Sequence, residues 1–261
     1  MMEPPMAQER ENILKNTLLA GRPSLGLWCS LAGPLTTEIM AGAGAGWLLI
    51  DAEHSPNDLR SVVAQLQAAA AFPCEAAVRL PSDDASLIKQ FMDGGARSLM
   101  IPNVRDADQA RRIVAAMRYA PFGGIRGFSV GHRANQFGRI ANYHATAQDR
   151  QLLAVQIECG TGLANAAEIA AVNGVDVLFV GPGDLSANLG AMGNPNADHV
   201  QNAIAAVLAA ARMAGKAAGI LATLKADADR YLADGFTMVA VGSDLGLLVR
   251  GSDALIASFR T

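Results

Sequence analysis

The sequence predicts a (β/α)8 TIM barrel, an α/β fold built as a single domain over residues 1–261, and three observations carry that prediction. Eight short apolar runs of strand character recur along the chain. Ala-rich stretches of helical period separate most of them, and the runs are apolar at nearly every position. Alternating strand and helix calls for parallel strands, and eight repeats of the unit call for a closed barrel. A run that is apolar throughout suits a strand covered on both faces, by the barrel interior on one side and by helices on the other.

In order, the runs are LGLWCSL (25–31), WLLID (47–51), AAVRL (76–80), SLMIP (98–102), LLAVQIE (152–158), VDVLFVG (175–181), AAGILA (217–222) and TMVAVG (237–242). Between them, SPNDLRSVVAQLQAAA, DDASLIKQFMDGG, DADQARRIVAAM and TGLANAAEIAAVNG combine cap residues with helically spaced apolar positions. One interval breaks the rhythm. Tyr119 to Asp149 is rich in glycine, aromatic and basic residues, and a loop of that length in a compact domain is expected to be a lid or binding loop. The C-terminal LGLLVRGSDALIASFR reads as an amphipathic helix whose apolar face must be covered, by its own barrel or by a neighbour's.

Composition narrows the partners. The 51% hydrophobic content supports a large core, and the net charge of −3 without a dense Lys/Arg cluster argues against nucleic acid. Cys29, Cys74 and Cys159 are odd in number and widely spaced, against a disulfide framework or a paired-cysteine zinc site, so a cytoplasmic protein is expected. Residues 1–11 read as a flexible lead-in without the apolar core of a signal peptide. No stretch reaches the roughly 18 apolar residues of a membrane span.

A barrel of this kind carries its active site at the C-terminal ends of its strands. The polar residues there are Trp28 after the first run, Asp51, Glu53 and His54 after the second, Arg79 in the third, Gln156 and Glu158 in the fifth, and Asp184 after the sixth. Glu158 and Asp184 together make a hard-cation site for Mg²⁺ or Mn²⁺, although each is also a candidate helix cap or ion-pair partner. The echo of LFVGPGDLS in VAVGSDLG leaves open whether Asp184 or Asp244 holds the metal. His54 suits a general base, with a capping role as the alternative. Arg79, charged and inside a strand, requires a carboxylate or an anionic ligand to meet it. The glycines of GPGD would let backbone N–H groups approach an anion.

With WLLIDAEHSPNDL, VRLP, IKQFMDGGARSLMIPNV, YAPFGGIRG, VQIE and GVDVLFVGPGDLSANLG in order, the chain resembles the HpcH/HpaI aldolase family over roughly residues 12–250. The resemblance implies a metal-dependent class II pyruvate aldolase on a phosphoenolpyruvate/pyruvate-type barrel, of the kind used in aromatic compound catabolism. It would reversibly cleave a 4-hydroxy-2-oxo acid to pyruvate and an aldehyde. It also implies a hexamer, a trimer of dimers, with the C-terminal helix exchanged between subunits.

On that pattern Glu158 and Asp184 hold the divalent metal, Mg²⁺ or Mn²⁺ with Co²⁺ as a further option, and the backbone amides of Gly183 and Asp184 receive the pyruvate carboxylate. Arg79 stabilises the developing oxyanion, and His54 is the acid/base. Asp93 is its carboxylate partner, from the same or a neighbouring subunit. Asp51 and Gln156 match positions in or beside the metal site, and Trp28 matches the substrate mouth.

A lysine Schiff base is the other solution to the same chemistry, with Lys225 after the seventh run as its candidate. Two departures concern the aldehyde end. FSVGHRANQFG stands where a small-residue run is usual, and CGTG follows Glu158. Within loop 127–138, His132 and Arg133 would either read an acidic acceptor or pin the loop. Alternative functions are an acyl-CoA lyase of the malyl-CoA type and a non-catalytic barrel that binds 2-oxo acids and a metal.

Overall fold

Eight parallel strands close on themselves in chain order: β1 (Ser24–Cys29), β2 (Trp47–Asp51), β3 (Glu75–Arg79), β4 (Ser98–Ile101), β5 (Leu152–Ile157), β6 (Val177–Val180), β7 (Ala217–Leu221) and β8 (Met238–Ser243). Each pairs with the next and β8 returns to β1. All eight apolar runs form strands, with ends moved by a few residues. This computed structural model describes residues 10–260; residues 1–9 of the lead-in and Thr261 lie outside the described residues.

The interior is filled by Trp47, Leu49, Ala77, Met100, Leu152, Ala154, Val177, Phe179, Met238 and Ala240, the inward set of a period-two alternation. Trp47 needs room across the barrel. A Cβ at Gly26 would lie 2.1 Å from its ring, so the glycine in β1 is what admits it. Helix α1 (Ile13–Leu19) closes the N-terminal end with Leu14 and Leu18 packed into this interior, and Asn12 ties it to Ser98 and to the Arg150 carbonyl.

The outer layer is α2 (Pro34–Gly42), α3 (Leu59–Ala69), α4 (Ala85–Asp93), α5 (Ala107–Met117), the one-turn α6 (Tyr143–Thr146), the short pair α7 (Gly160–Ala164) and α8 (Ala166–Ala170), then α9 (Pro182–Asn188), α10 (Asp198–Met213), α11 (Lys225–Asp234) and α12 (Asp244–Ala257). Three of the starts follow from aspartate caps: Asp58 and Ser61 form a capping box on α3, and Asp84 and Asp106 accept first-turn N–H groups of α4 and α5. The stretch TGLANAAEIAAVNG is two helices rather than one. Asn165 leaves helical geometry at the break, and its side chain donates to the Arg105 carbonyl.

Two expectations change once the chain is folded. Tyr119–Asp149 is indeed irregular, with 3-10 turns at Ala120–Phe122, Arg133–Gly138 and Ala147–Arg150, but it links α5 to β5. Helices in this fold run antiparallel to the strands, so the segment lies at the N-terminal end of the barrel and is no lid on its own mouth. The second concerns α12. Asp244 is its one buried residue, while Leu245, Leu247, Leu248, Val249, Leu255 and Ile256 are exposed. Its own barrel leaves that face uncovered. No helix among the described residues is long and apolar enough to cross a membrane.

Candidate active site

The inward alternation that buries Trp47 and Leu49 brings Asp51 to the top of β2, just as Ala77 precedes Arg79 on β3 and Ala154 precedes Gln156 and Glu158 on β5. In each of these strands an apolar residue lies below and a polar residue emerges at the C-terminal mouth. Neighbouring strands then decide who meets whom: Asp51 and Arg79 are paired in register across β2 and β3.

Arg79 is held on three sides. Its Nε donates to Asp51 Oδ1 at 2.9 Å and its Nη2 to Oδ2 at 2.7 Å, a bidentate fork, while Nη1 lies 3.0 Å from Glu53 Oε2. Its guanidinium carbon sits 4.9 Å from the ring centre of Trp28, which is buried against Phe179 and donates through Nε1 to Asp51 at 3.3 Å. Asp51 also accepts from the backbone N–H groups of Glu53 and His54. Burial alone would push the Asp51 carboxyl up, but the hydrogen bonds and charge of Arg79, with those two N–H groups, hold it below its ordinary value.

Across the mouth, Glu158 is buried and accepts from the Asn103 backbone N–H at 2.8 Å and from Gln156 Nε2 at 3.0 Å. Its carboxyl is pushed up to about 7, first by burial and then by the charge of Asp184, with Glu53 adding to both; Asn103 and Arg79 act against the shift. Glu53 is also raised, by burial first and in part by Asp51 and Asp184. Gly181 is the residue that lets this group in, because a Cβ there would lie 2.5 Å from Glu158 Oε2.

Acidic groups this close, one of them driven toward its neutral form, are what a cation would relieve. The donor set is all oxygen: Glu158, Asp184 and the buried Gln156 Oε1, which has no hydrogen-bond partner. No cluster of three or more His, Cys, Asp or Glu among the described residues makes a full metal cage. A cation here would rest on two carboxylates and fill its shell with water and ligand oxygens, as Mg²⁺ does, so the residues fit a hard divalent ion.

Asp244 does not compete for that role. Its two oxygens accept the N–H groups of Ser30 (2.8 Å), Leu31 (3.1 Å) and Leu245 (2.7 Å), which stitches the end of β1 to the start of α12. Lys225 is also excluded as a buried amine: its side chain is 87% exposed and paired with Asp229. His54 stands at the mouth with 65% of its side chain exposed and Glu53 3.8 Å away.

Asp93 lies away from its own chain's mouth. It ends α4, which runs away from the mouth, and its Oδ1 accepts from Arg126 Nη2 at 2.7 Å with His132 Nε2 at 3.9 Å. The same-subunit pairing with His54 is therefore ruled out by the direction of the helix. Arg133 donates to the Gly94 carbonyl and His132 accepts from the Asn135 N–H, so in this chain both hold the loop and neither reaches the chain's own mouth. Sequence reasoning missed Arg126 and Asn103. Asn103 carried a signal, since Asn tolerates the left-handed backbone (φ +52°) found there.

The closed barrel, with an acidic pair and a clamped guanidinium at the C-terminal ends of its strands, defines an enzyme-type TIM barrel. The chain belongs to the HpcH/HpaI aldolase/citrate lyase family, whose model matches residues 24–251. It is 48% identical over 250 residues, 95% of each chain, to the 4-hydroxy-2-oxo-heptane-1,7-dioate aldolase of Salmonella heidelberg (strain SL476). Among solved structures it is similar to an HpcH/HpaI aldolase/citrate lyase family protein from Burkholderia cenocepacia J2315, with 39% identity, TM-score 0.93 and coverage of 96% of this chain and 100% of that one. An HpcH/HpaI aldolase from Desulfitobacterium hafniense DCB-2 follows at 26% identity and TM-score 0.88, covering 95% and 96%.

Proposed function

We propose that this protein is a divalent-metal-dependent aldolase that reversibly cleaves a 4-hydroxy-2-oxo acid to pyruvate and an aldehyde, with a seven-carbon dioate as the first substrate to try. The observation that carries the reading is the buried Glu158, whose carboxyl is pushed up to about 7 by burial and then by the charge of Asp184, opposite an Arg79 already clamped by Asp51 and Glu53.

Glu158 and Asp184 would hold Mg²⁺ or Mn²⁺, and the ion when bound supplies Lewis acidity at the 2-oxo group. In cleavage the C3–C4 bond breaks and its electron pair moves toward the C2 oxygen. Arg79 uses three of its five N–H donors on Asp51 and Glu53, which leaves two to meet that charge without reorganising. The first turn of α9 has no side-chain cap, so the N–H groups of Gly183 and Asp184 are available to the substrate carboxylate. His54 takes the proton of the C4 hydroxyl and later returns a proton to C3, oriented by Asp93 of the partner subunit. Trp28 and Gln156 shape the floor beneath the substrate.

The exposed apolar face of α12 supports assembly into a homo-oligomer in which that helix covers a neighbour's barrel wall, where Leu25, Leu35 and Ile39 are exposed. A hexamer, a trimer of dimers, is the arrangement proposed. The acyl-CoA alternative gains nothing from the mouth, where the buried cation is committed to the chain's own carboxylates.

The test is deuterium exchange of the pyruvate methyl group in D₂O, with Mg²⁺ or Mn²⁺ and then with EDTA, followed by pyruvate release from a panel of 4-hydroxy-2-oxo acids. Metal-dependent exchange is expected. Its absence with every metal would remove the aldolase reading.

A further inference from the structure

At the N-terminal end of the barrel lies a polar cluster that the mouth does not use. The Arg126 side chain is fully buried, its guanidinium carbon is 4.7 Å from the Tyr119 ring centre, and of its three nitrogens Nη2 alone has a hydrogen-bond partner, Asp93. Tyr119 Oη, His132 Nε2 and Asn135 Oδ1 are likewise buried without partners. An unpaired buried polar atom costs about 1–3 kcal/mol, so a fold kept for stability alone does not gather several around one carboxylate.

The protonation of His132 can be read from its contacts. Nδ1 accepts from the Asn135 N–H at 3.1 Å, so the neutral ring carries its proton on Nε2, and Nε2 is the atom that faces Asp93 Oδ1 at 3.9 Å. Burial first, then the charges of Arg126 and His144, hold the imidazole below its ordinary value against the pull of Asp93. The ring packs on Tyr143 and His144, and the turn behind it contains Gln136 (φ +45°) and Phe137 (φ +59°), two non-glycine residues in left-handed backbone. Such strain persists where the surrounding structure imposes it, and here it fixes the direction of the imidazole.

We propose that His132 is a positioning residue: together with Arg126 it forms a two-donor cradle for Asp93 Oδ1, which leaves Oδ2 directed outward to His54 of the partner subunit. The inference rests on the aldolase reading and on the intersubunit pair it contains. The separation of 3.9 Å is too long for a hydrogen bond, and closing it satisfies the orphan Nε2–H at the moment a neighbour's histidine draws on the carboxylate. Arg133 is not part of it, because its Nη1 is committed to the Gly94 carbonyl.

The experiment is metal-dependent pyruvate methyl exchange by the wild type, His132→Gln and His132→Met, which are close in length and differ in the N–H donor. His132→Met should lose about tenfold in exchange kcat with the KM for pyruvate and the metal affinity unchanged, whereas His132→Gln should stay within about threefold of wild type. Assembly mass and Tm should match across all three. Wild-type rates for His132→Met, or an equal fall for both variants, would overturn the cradle. If His132→Met does not assemble, His132→Glu decides: an acceptor facing Asp93 must slow exchange at least as much, and a wild-type rate would overturn the proposal. A wild type that does not exchange at all rejects the aldolase reading itself, and the cradle with it.

Discussion

Two strand-to-helix junctions share nearly the same words, LFVGPGDLS at β6–α9 and VAVGSDLG at β8–α12, yet they end in opposite roles. At the second, the first turn of α12 presents Asp244 to the loop after β1, where three backbone N–H groups consume both oxygens. At the first, the neighbouring strand presents Glu158, another acid, whose carboxyl is pushed up by burial and then by the charge of Asp184. The charge of Asp244 falls instead on the buried Cys29, whose thiol is driven up to about 12 by burial and then by Asp244. One aspartate is satisfied by the fold, and the other meets a second acid.

The largest effect that would sharpen this contrast is the loss of either metal carboxylate. Glu158→Gln or Asp184→Asn should weaken Mn²⁺ binding by at least about a hundredfold and abolish pyruvate exchange, while Asp244→Asn should leave metal affinity within a few-fold of wild type. Isothermal titration decides, and a reversed pattern would mean the echo was assigned the wrong way round. Next in size, Arg79→Lys should lower kcat about a hundredfold or more, because an ammonium cannot reproduce the fork on Asp51. Rates near wild type would remove Arg79 from the chemistry.

A third test separates the junctions by stability. Asp244→Ala should cost about 2–4 kcal/mol in urea unfolding by leaving several N–H groups unpaired, and an unchanged midpoint would break the comparison on its structural side. A fourth concerns subunits. Inactive His54→Ala and Asp93→Ala proteins, dissociated and reassembled together, should recover about a quarter of wild-type activity if each site draws one residue from each chain. No recovery would place the partner of His54 elsewhere.

The smallest effect is one of linkage. Glu158 has its folded value raised, so without metal its ionisation costs stability as pH rises from its ordinary value toward about 7, and metal binding requires the ionised form. Mg²⁺ should therefore raise Tm more at pH 8 than at pH 6, and Glu158→Gln should erase that difference. An equal shift at both pH values would argue against a proton-linked site.

Much of this was legible in the chain. The eight apolar runs reported the strands because a barrel strand is buried on both faces, and their period-two alternation then put Asp51, Arg79, Gln156 and Glu158 at one mouth. The directions of the connections were harder to read. A long loop looks the same in sequence whether it follows a strand or a helix until the elements are counted, so a lid at Tyr119–Asp149 and a same-subunit pairing of Asp93 with His54 stayed open although the fold carries both to the opposite end.

The sequence by itself therefore determined the barrel, the set of polar strand ends and the family, because burial period and motif order are local properties of the chain. Tertiary structure decided the rest. It committed Asp244 to the backbone after β1, closed Arg79 on Asp51, sent Asp93 to the far face and left α12 bare on its own barrel. Each of those outcomes depends on which distant segment lies alongside, and no local pattern of residues encodes the neighbour.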